Sequence, residues 1–454
     1  MKRFLSAVLI ALLVLAVLLS ACQSGEEPSS APSESASQPA VSEPASEPDA
    51  AESGGESSGA SAAESIEESS EESIEESSEE SVEESFEVSI EESSETVPEF
   101  DPAELFSVTA PDHTFDIHTP DQAAFLEGSL ESIASLADGW HECSKPRAYP
   151  VDFTVNREAA PFELGEFNGC RALLDRDAGF TDPKIIQTYS VTDNGYRIEF
   201  TNLLLDATYH YKLQVQYGDT WYESAPYVFY TAAYAPRNLD IEGVSNVRDI
   251  GGRFIDDSHR IKQGMIFRGA AFEDAQYGTH ITQRGIAAVR EDLKIKTEIE
   301  LRWISAGEIS SREESLIGGD VNYYEYEFNY DTSQLLVGNY NSIAKCFVRF
   351  ADETQYPIYY HCRIGTDRTG VLSYLLLGLL GVDKETILRD YLFSNFGYVG
   401  GNRSVSSIQQ AYIDVIDSFE GETLKEKITW LLKNKCGLED EQLERIENIL
   451  IENV

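Results

Sequence analysis

The chain has 454 residues, of which 42% are hydrophobic, so it is long enough for two or three domains with real cores. Its formal net charge is −46 at pH 7, from 80 acidic and 34 basic side chains. This charge argues against binding to nucleic acid or to an anionic membrane surface through net charge. The negative excess is concentrated near the N-terminus, because no Lys or Arg occurs between Phe4 and Ser144.

Residues 1–22, "MKRFLSAVLIALLVLAVLLSAC", combine a basic start with an apolar run, a pattern typical of an export signal. The run ends in Leu-Ser-Ala-Cys, which resembles the lipobox of bacterial lipoproteins. The resemblance implies cleavage before Cys22, lipidation of its thiol and anchoring to the outer face of the bacterial cytoplasmic membrane. An uncleaved anchor and a plain signal peptide are the alternatives. No later run reaches the roughly 18 apolar residues that span a bilayer, so membrane contact is predicted through this anchor only.

Residues 23–100 are dominated by Ser, Glu, Ala and Pro and include "ESIEESSEESIEESSEESVEESFEVSIEESSE". Ile66, Ile74, Val82 and Ile90 recur every eight residues, a spacing that matches neither an α-helix nor a coiled coil. Dense like charge with little apolar surface predicts a disordered acidic tether. We expect the tether to hold the folded part away from the membrane.

Residues 101–235 contain alternating stretches such as "YRIEFTNLLLDATYHYKLQVQYGDTWYESAPYVFYTA", and "DNG" and "YGDT" supply turn sequences. The alternation predicts the antiparallel strands and hairpins of a β-sandwich. The segment Leu203 to Tyr209 resembles the tyrosine-corner region of a fibronectin type III domain. It departs from that family at Leu205 and Asp206, where Pro and Gly are usual. A cell-wall or surface partner is the candidate ligand of this predicted domain.

Cys143 and Cys170 lie in the same region of a chain that is predicted to be exported. An oxidising compartment permits a disulfide between them, but sequence alone leaves the bond open because it does not place the two Cα atoms. A metal site formed by both thiols and His141 lacks the CxxC type of ligand spacing. No metal is therefore predicted.

Strand and helix patterns alternate in residues 236–454. "MIFRGAA", "IKTEIELR", "VNYYEYEFN" and "YPIYYHC" are predicted strands, and "ITQRGIAAVREDL", "YNSIAKCFVRFADE" and "GVLSYLLLGLL" are predicted helices. This alternation predicts an α/β domain with a largely parallel sheet flanked by helices. Ligands bind beyond the carboxyl ends of such strands, and Cys362 stands at one of these ends.

The run "HCRIGTDRTG", His361 to Gly370, places a thiol at a strand end and a guanidinium six residues later, where a helix begins. Backbone N–H groups of such a loop can form an anion nest, and the helix N-terminus adds partial positive charge. Both features lower the pKa of a thiol, so Cys362 is predicted to be a thiolate nucleophile. Arg368 can bind two phosphoryl oxygens. The candidate phosphate-binding residues are Arg363, Ile364, Gly365, Thr366, Asp367 and Arg368.

A nucleophile aimed at a bound phosphoryl group predicts covalent phosphoryl transfer. Thiolate attack gives a cysteinyl-phosphate, which water then hydrolyses. Asp367 is the candidate proton donor to the leaving oxygen, and Asp331 is the rival candidate. The hydroxyl of Thr369 can donate a hydrogen bond to the sulfur and help it to leave.

The signature His-Cys-x-x-Gly-x-x-Arg resembles that of cysteine-dependent protein tyrosine phosphatases. The fuller run is similar to the HCxxGKDRTG loop of bacterial tyrosine/lipid phosphatases, and "NVRDIGG" at residues 246–252 resembles their NFRDLGG box. The likeness extends from Asn238 to about Phe396. It implies the phosphatase α/β fold and hydrolysis without metal or cofactor. It also implies Cys362 as nucleophile, Arg368 as phosphate ligand and Asp367 as general acid.

Three questions stay open from the sequence. Thr366 stands where the family often has Lys, which makes polyphosphorylated lipid substrates less expected. Arg248 and Asp249, within the resembling box, fit either a structural ion pair or a substrate contact. The predicted function is a surface-exposed phosphatase acting on phosphotyrosine, as phosphoprotein or phosphopeptide, or on small phosphomonoesters. The alternatives are an inositol-phosphate or phosphoinositide phosphatase, and a surface adhesion protein in which the β-sandwich carries the main role.

Overall fold

The computed structural model describes residues 100–111, 113–130, 145–397 and 403–454. All of these residues lie in one compact unit, Glu92–Val454. The predicted export signal, Cys22 and nearly all of the predicted tether lie outside the described residues. Cys143 does too, so its disulfide with Cys170 stays a prediction. In the ranges that are described, no helix is long and apolar enough to cross a membrane.

The N-terminal part of this unit is rich in strands. They are β1 (Phe106–Thr109), β2 (Thr114–Phe115), β3 (Tyr149–Val155), β4 (Phe167–Asp175), β5 (Lys184–Ile186), β6 (Tyr189–Thr192), β7 (Gly195–Phe200), β8 (Thr208–Tyr217), β9 (Thr220–Glu223) and β10 (Tyr227–Thr231). One sheet has the order β1-β3-β7-β6, and the other has the order β2-β10-β8-β4-β5 with β9 beside β8. Alternate side chains of both sheets share one apolar core, in which Tyr149 stacks on Phe229 with ring centroids 3.8 Å apart.

The C-terminal part is an α/β structure, as the alternating pattern predicts. Its strands are β11 (Arg248–Asp249), β12 (His259–Ile261), β13 (Ile266–Ala270), β14 (Glu273–Asp274), β15 (Thr279–His280), β16 (Thr297–Glu300), β17 (Asn322–Glu325), β18 (Ile358–Cys362) and β19 (Ile451–Asn453). The main sheet has the order β11-β13-β18-β16-β17, and every pair in it is parallel except β11 with β13. The register aligns Cys362 with Ala270, and His361 with Glu300, so these strands end at one edge of the sheet.

The α-helices pack around this sheet and against one another. They are α1 (Pro120–Glu127), α2 (Gln283–Ala287), α3 (Tyr340–Phe350), α4 (Asp367–Leu379), α5 (Lys384–Phe393), α6 (Val405–Ile408), α7 (Asp414–Asp417), α8 (Leu424–Asn434) and α9 (Asp440–Leu450). Helix α4 follows the cysteine loop, and all its residues after Asp367 are buried. Its apolar character on every side fits this position, because a helix that is hydrophobic all round must be covered on all sides.

The loop between β7 and β8 joins the sandwich to the α/β part. The hydroxyl of Tyr209 accepts a hydrogen bond from the backbone N–H of Leu204 at 2.8 Å, which fixes the start of β8. The side chain of Gln263 bonds both the N–H and the carbonyl of Leu205, at 2.8 and 2.9 Å. Arg237 donates to the Leu203 carbonyl at 2.9 Å. The two parts are therefore bound by buried and partly buried polar contacts as well as by the chain itself.

Helix α1 makes a second connection. Phe125 lies edge-on to Phe393 and Phe396, with centroid distances of 6.0 and 5.3 Å, inside the core of the α/β part. Arg389 of α5 donates to the carbonyls of Leu126, at 3.2 Å, and of Gly128 at the C-terminal end of α1. Cations are favoured at this end of a helix, so the contact stabilises both helices.

Candidate active site

Cys362 is the last residue of β18 and lies at the base of a cavity of about 570 Å³. The walls come from the loop that follows Cys362, from two loops after β16 and β17, and from the segment around α6. The lining residues are Tyr277, Ala306, Gly307, Glu308, Tyr330, Thr332, Leu335, Cys362, Arg363, Ile364, Asp367, Arg368, Arg403, Ser407 and Ile408. The cavity is large enough for a phosphoryl group together with part of the molecule that carries it.

The Cys362 thiol is only 2% exposed, yet its pKa lies below the ordinary value. Burial alone would raise that pKa. The positive charge of Arg368 lowers it, and so does Thr369, through its side chain and its backbone. Lowering of the thiol pKa increases the fraction of thiolate, which is the nucleophilic form. The arrangement therefore favours a thiolate that lines the cavity, which is the form a nucleophilic role would need.

Gly365 allows the loop to pass close to β13. Its φ is +69°, and a Cβ built on it would lie 2.3 Å from the carbonyl carbon and oxygen of Gly269 and 2.7 Å from the backbone N of Ala270. Backbone atoms of a central strand cannot move aside cheaply. A side chain at this position would therefore displace the loop that carries the candidate phosphate ligands.

Gly365→Ala should lower both stability and activity. The matched control is Gly437→Ala, because Gly437 has a similar φ of +75° but nothing within 4 Å of its built Cβ. We expect the control to lose about 1–2 kcal/mol of unfolding free energy and to keep its full activity. The Gly365 variant should lose more stability and about 10²-fold in activity, because small displacements of reacting groups are costly. Denaturant unfolding and steady-state kinetics test this, and equal behaviour of the two variants would contradict it.

Arg368 is paired with Glu308, which no motif in the sequence singles out. The two guanidinium Nη atoms donate to the two carboxylate oxygens at 2.5 and 2.7 Å. Burial lowers the pKa of Arg368, but the bonds to Glu308 and the charge of Cys362 raise it more, so its pKa lies above the ordinary value. The arginine is thus a permanent cation beside the thiol. A phosphoryl group that used both Nη atoms would have to replace Glu308.

Asp367, the predicted general acid, lines the cavity at the start of α4. Arg403 binds both of its oxygens, at 3.0 and 3.1 Å, and the Tyr391 hydroxyl donates to one of them at 3.3 Å. The rival acid Asp331 is exposed and does not line the cavity. Hydrogen bonds from the Ser333 hydroxyl and backbone N–H lower the pKa of Asp331.

The other predicted phosphate-binding residues differ in position. Arg363 lines the cavity, and its Nε lies 2.9 Å from Asp274 and 3.2 Å from Glu308. Ile364 also lines it, whereas Gly365 and Thr366 do not. The Thr366 hydroxyl is buried and accepts from the Asn246 amide at 3.2 Å. Its side chain therefore points into the protein, and the positive charge of the cavity comes from arginines instead.

Arg248 and Asp249 are both buried, and each has its own partners. Arg248 binds Asp390, with its Nε 3.0 Å from the carboxylate. Asp249 accepts from Arg237 at 2.9 Å and from the backbone N–H of Gly264 at 2.7 Å. The interpretation of the two residues as an ion pair with each other is thus wrong. Neither of them lines the cavity beside Cys362.

Glu298, Glu300 and His361 are buried and close enough to one another to suggest a metal site. Their polar atoms are already engaged, because Glu298 binds His361 at 2.8 Å and Glu300 binds Arg302 at 2.6 Å. Burial lowers the pKa of His361, but the two carboxylates raise it more, so the net pKa is above the ordinary value. This shift favours the protonated imidazole, which cannot ligate a metal. The donor set fits an ion network behind the cysteine loop rather than a cation site.

The α/β part of the chain is a protein-tyrosine-phosphatase-like enzyme, a phosphoric monoester hydrolase. Residues 239–452 match the sequence model of the tyrosine phosphatase family, and the match supports a cysteine-type tyrosine phosphatase family for this region. Cys362 and Arg368 both lie inside the matched range. No curated protein matches the chain.

Three solved structures are similar to the chain at low sequence identity. The core catalytic domain of the PP-IP phosphatase SIW14 from S. cerevisiae, in complex with citrate, is 16% identical, with 38% of this chain and 93% of that chain covered and a TM-score of 0.25. Another structure of the Siw14 catalytic core is 15% identical, with 37% and 86% covered and a TM-score of 0.25. PTPMT1 in complex with PI(5)P is 12% identical, with 43% and 92% covered and a TM-score of 0.19. At these TM-scores the similarities carry no argument about substrate.

Proposed function

We propose that the chain hydrolyses phosphotyrosine or related phosphomonoesters through a cysteinyl-phosphate intermediate. The observation that carries this proposal is the buried Cys362, with its lowered pKa, beside the permanent cation Arg368 at the base of an open cavity. Arg368 binds the phosphoryl oxygens, and the Cys362 sulfur attacks phosphorus as the ester oxygen leaves. Water then attacks the cysteinyl-phosphate, which releases inorganic phosphate and restores the thiolate.

The leaving oxygen needs a proton, and we assign its donation to Asp367. Asp367 lines the cavity next to Arg368, while Asp331 lies outside it. Arg403 and Tyr391 hold the Asp367 carboxyl group in one orientation, so its position is defined before substrate binds. In the second step the same carboxylate is placed to accept a proton from the attacking water.

An inositol-phosphate or phosphoinositide substrate is the second candidate. The specific observation in its favour is that Arg363 and Arg403 line the cavity in addition to Arg368. Further guanidinium groups suit a substrate with a second anionic group. Thr366 does not weigh against this candidate as the sequence suggests, because its side chain faces Asn246 rather than the cavity.

We further propose that the enzyme is exported and anchored through Cys22 on the outer face of the cytoplasmic membrane. The N-terminal sequence pattern supports this location. The acidic segment would then be a tether, and residues 101–235 a fibronectin type III-like domain ahead of the phosphatase domain at residues 236–454. A surface or cell-wall partner of the β-sandwich belongs to the same proposal.

The test is to trap the intermediate. The reduced chain is mixed with an aryl phosphate in EDTA and quenched in acid, and its peptides are analysed by mass spectrometry. We expect a phosphate adduct on Cys362 during turnover. Turnover without an adduct would point to direct attack by water, and absence of turnover in a folded chain would leave only a phosphate-binding module. Initial rates on a phosphotyrosine peptide and on an inositol polyphosphate then separate the two substrate classes.

A further inference from the structure

A single carboxylate, that of Asp390 in α5, lies among three buried arginines. Asp390 is 2% exposed, and its oxygens accept from Arg248 at 3.0 Å, Arg253 at 2.5 Å and Arg268 at 2.7 Å. Burial raises the pKa of Asp390, but the three arginines hold it well below its usual range. Burial, and then Arg268, lower the pKa of Arg248 to about 10, so it too is charged at neutral pH. The cluster therefore buries three cations against one anion.

Two of these arginines connect Asp390, through hydrogen bonds, to the loop that follows Cys362. Arg268 binds Asp390 with one Nη atom and donates to the carbonyl of Gly365 with the other, at 2.7 Å. Arg248 donates to the Oδ1 of Asn246 at 2.6 Å, and the amide of Asn246 donates to the carbonyl of Ile364 at 2.9 Å. The carbonyls of Ile364 and Gly365, two consecutive loop residues, therefore accept hydrogen bonds from groups that are connected to Asp390.

Holding these carbonyls also orients the next N–H groups. In a trans peptide the C=O and the following N–H point in opposite directions. When the carbonyls of Ile364 and Gly365 face the arginine cluster, the N–H groups of Gly365 and Thr366 face away from it. Successive N–H groups that point the same way form the anion-binding nest that a phosphoryl group requires.

Stability alone does not explain why this cluster is buried. Removing three guanidinium groups from water against one carboxylate carries a desolvation penalty that apolar side chains would not have. An anion bound on the other side of the loop would offset the excess positive charge beneath it. Helix α5 is itself fixed, since Arg389, next to Asp390, binds the end of α1.

We propose that Asp390 is a positioning residue for phosphate binding. It fixes Arg268 and, through Arg248, Asn246, so that the loop carbonyls stay turned away from the cavity and the loop N–H groups face the bound phosphoryl group. This inference rests on the proposed function, because it assigns the loop to phosphate.

The test uses protection of Cys362 from iodoacetamide by inorganic phosphate, which reports on the loop without any turnover. The variant is Arg268→Gln in the full chain, which removes the donor to Gly365. The matched control is Arg237→Gln, because Arg237 is also buried and ion-paired but contacts the sandwich rather than the loop. The phosphate concentration that halves the rate of alkylation should be at least about tenfold higher for the Arg268 variant than for wild type. A tenfold change corresponds to the loss of one charge-assisted hydrogen bond.

The same variant should also shift the pH midpoint of Cys362 alkylation upward, whereas the control should change only its melting temperature. Asp390→Asn, if it folds, should show the larger loss of phosphate protection, and Arg268→Lys should recover part of the protection. Unchanged protection in Arg268→Gln, or equal loss in the control, would overturn the proposal. Protection in wild type without hydrolysis of any phosphomonoester would overturn the proposed function and leave this role of Asp390 standing.

Discussion

Cys362→Ser should reduce hydrolysis of an aryl phosphate by roughly 10⁴-fold or more, because the attacking nucleophile is lost. A serine hydroxyl has nearly the same size but stays protonated at neutral pH, even beside Arg368. The melting temperature should change little, since the smaller oxygen fits the same buried position. Steady-state kinetics of the reduced chain in EDTA, together with thermal unfolding, measure both expectations.

Cys436→Ser is the control for this prediction. Cys436 is a half-buried thiol next to Gly437, just after α8, and burial raises its pKa to about 12, so it is not a nucleophile at neutral pH. Its replacement should leave the rate unchanged. If Cys362→Ser retained more than a small fraction of the wild-type rate, the covalent mechanism would be refuted. If both serine variants lost activity together, general destabilisation would be the explanation.

Phe125→Ala should destabilise the whole described unit by about 3–5 kcal/mol, the usual cost of removing a large buried aromatic side chain. Phe125 is 1% exposed and belongs to the core of the α/β part, although it precedes the sandwich strands β3 to β10 in sequence. Its loss would leave a cavity beside Phe393 and Phe396. Urea unfolding followed by tryptophan fluorescence measures the change in free energy.

Phe162→Ala is the matched control, since the same side chain is there 48% exposed. A surface substitution of this kind should stay within about 0.5 kcal/mol of wild type. Equal effects of the two substitutions would mean that α1 does not contribute to the core of the α/β part. If Phe125→Ala has the expected effect, a fragment that starts at residue 236 should be markedly less stable than the full chain, because it lacks this side chain altogether.

The fold could largely be predicted from the sequence because its signals are local. The period-two alternation around β8 predicts the sandwich strands, and the alternation of strands and helices after residue 236 predicts the parallel sheet. The position of Cys362 at a strand end follows from the apolar run before it and the glycine-containing loop after it. Each of these inferences needs only residues that are neighbours along the chain.

The partners of the site could not be predicted in the same way. Glu308 is 60 residues from Arg368 in sequence, and Arg403 is 36 from Asp367, so only the paths of the loops bring them together. Asp390 did carry a signal, because it is an acidic residue between the apolar pairs of "ILRDYLF". A buried acid requires cationic partners, but which arginines supply them depends on the tertiary structure.

The pairing of the cavity arginines has a consequence for how substrate arrives. Arg363, Arg368 and Arg403 each contact a carboxylate, so an incoming phosphate exchanges with Glu308 rather than meeting a bare cation. At longer range the chain, with its net charge of −46, repels an anion. Dissolved salt screens that repulsion beyond about 8 Å at physiological ionic strength but hardly weakens the buried contacts. Substrate association should therefore become faster as salt is added, the reverse of the usual electrostatic steering.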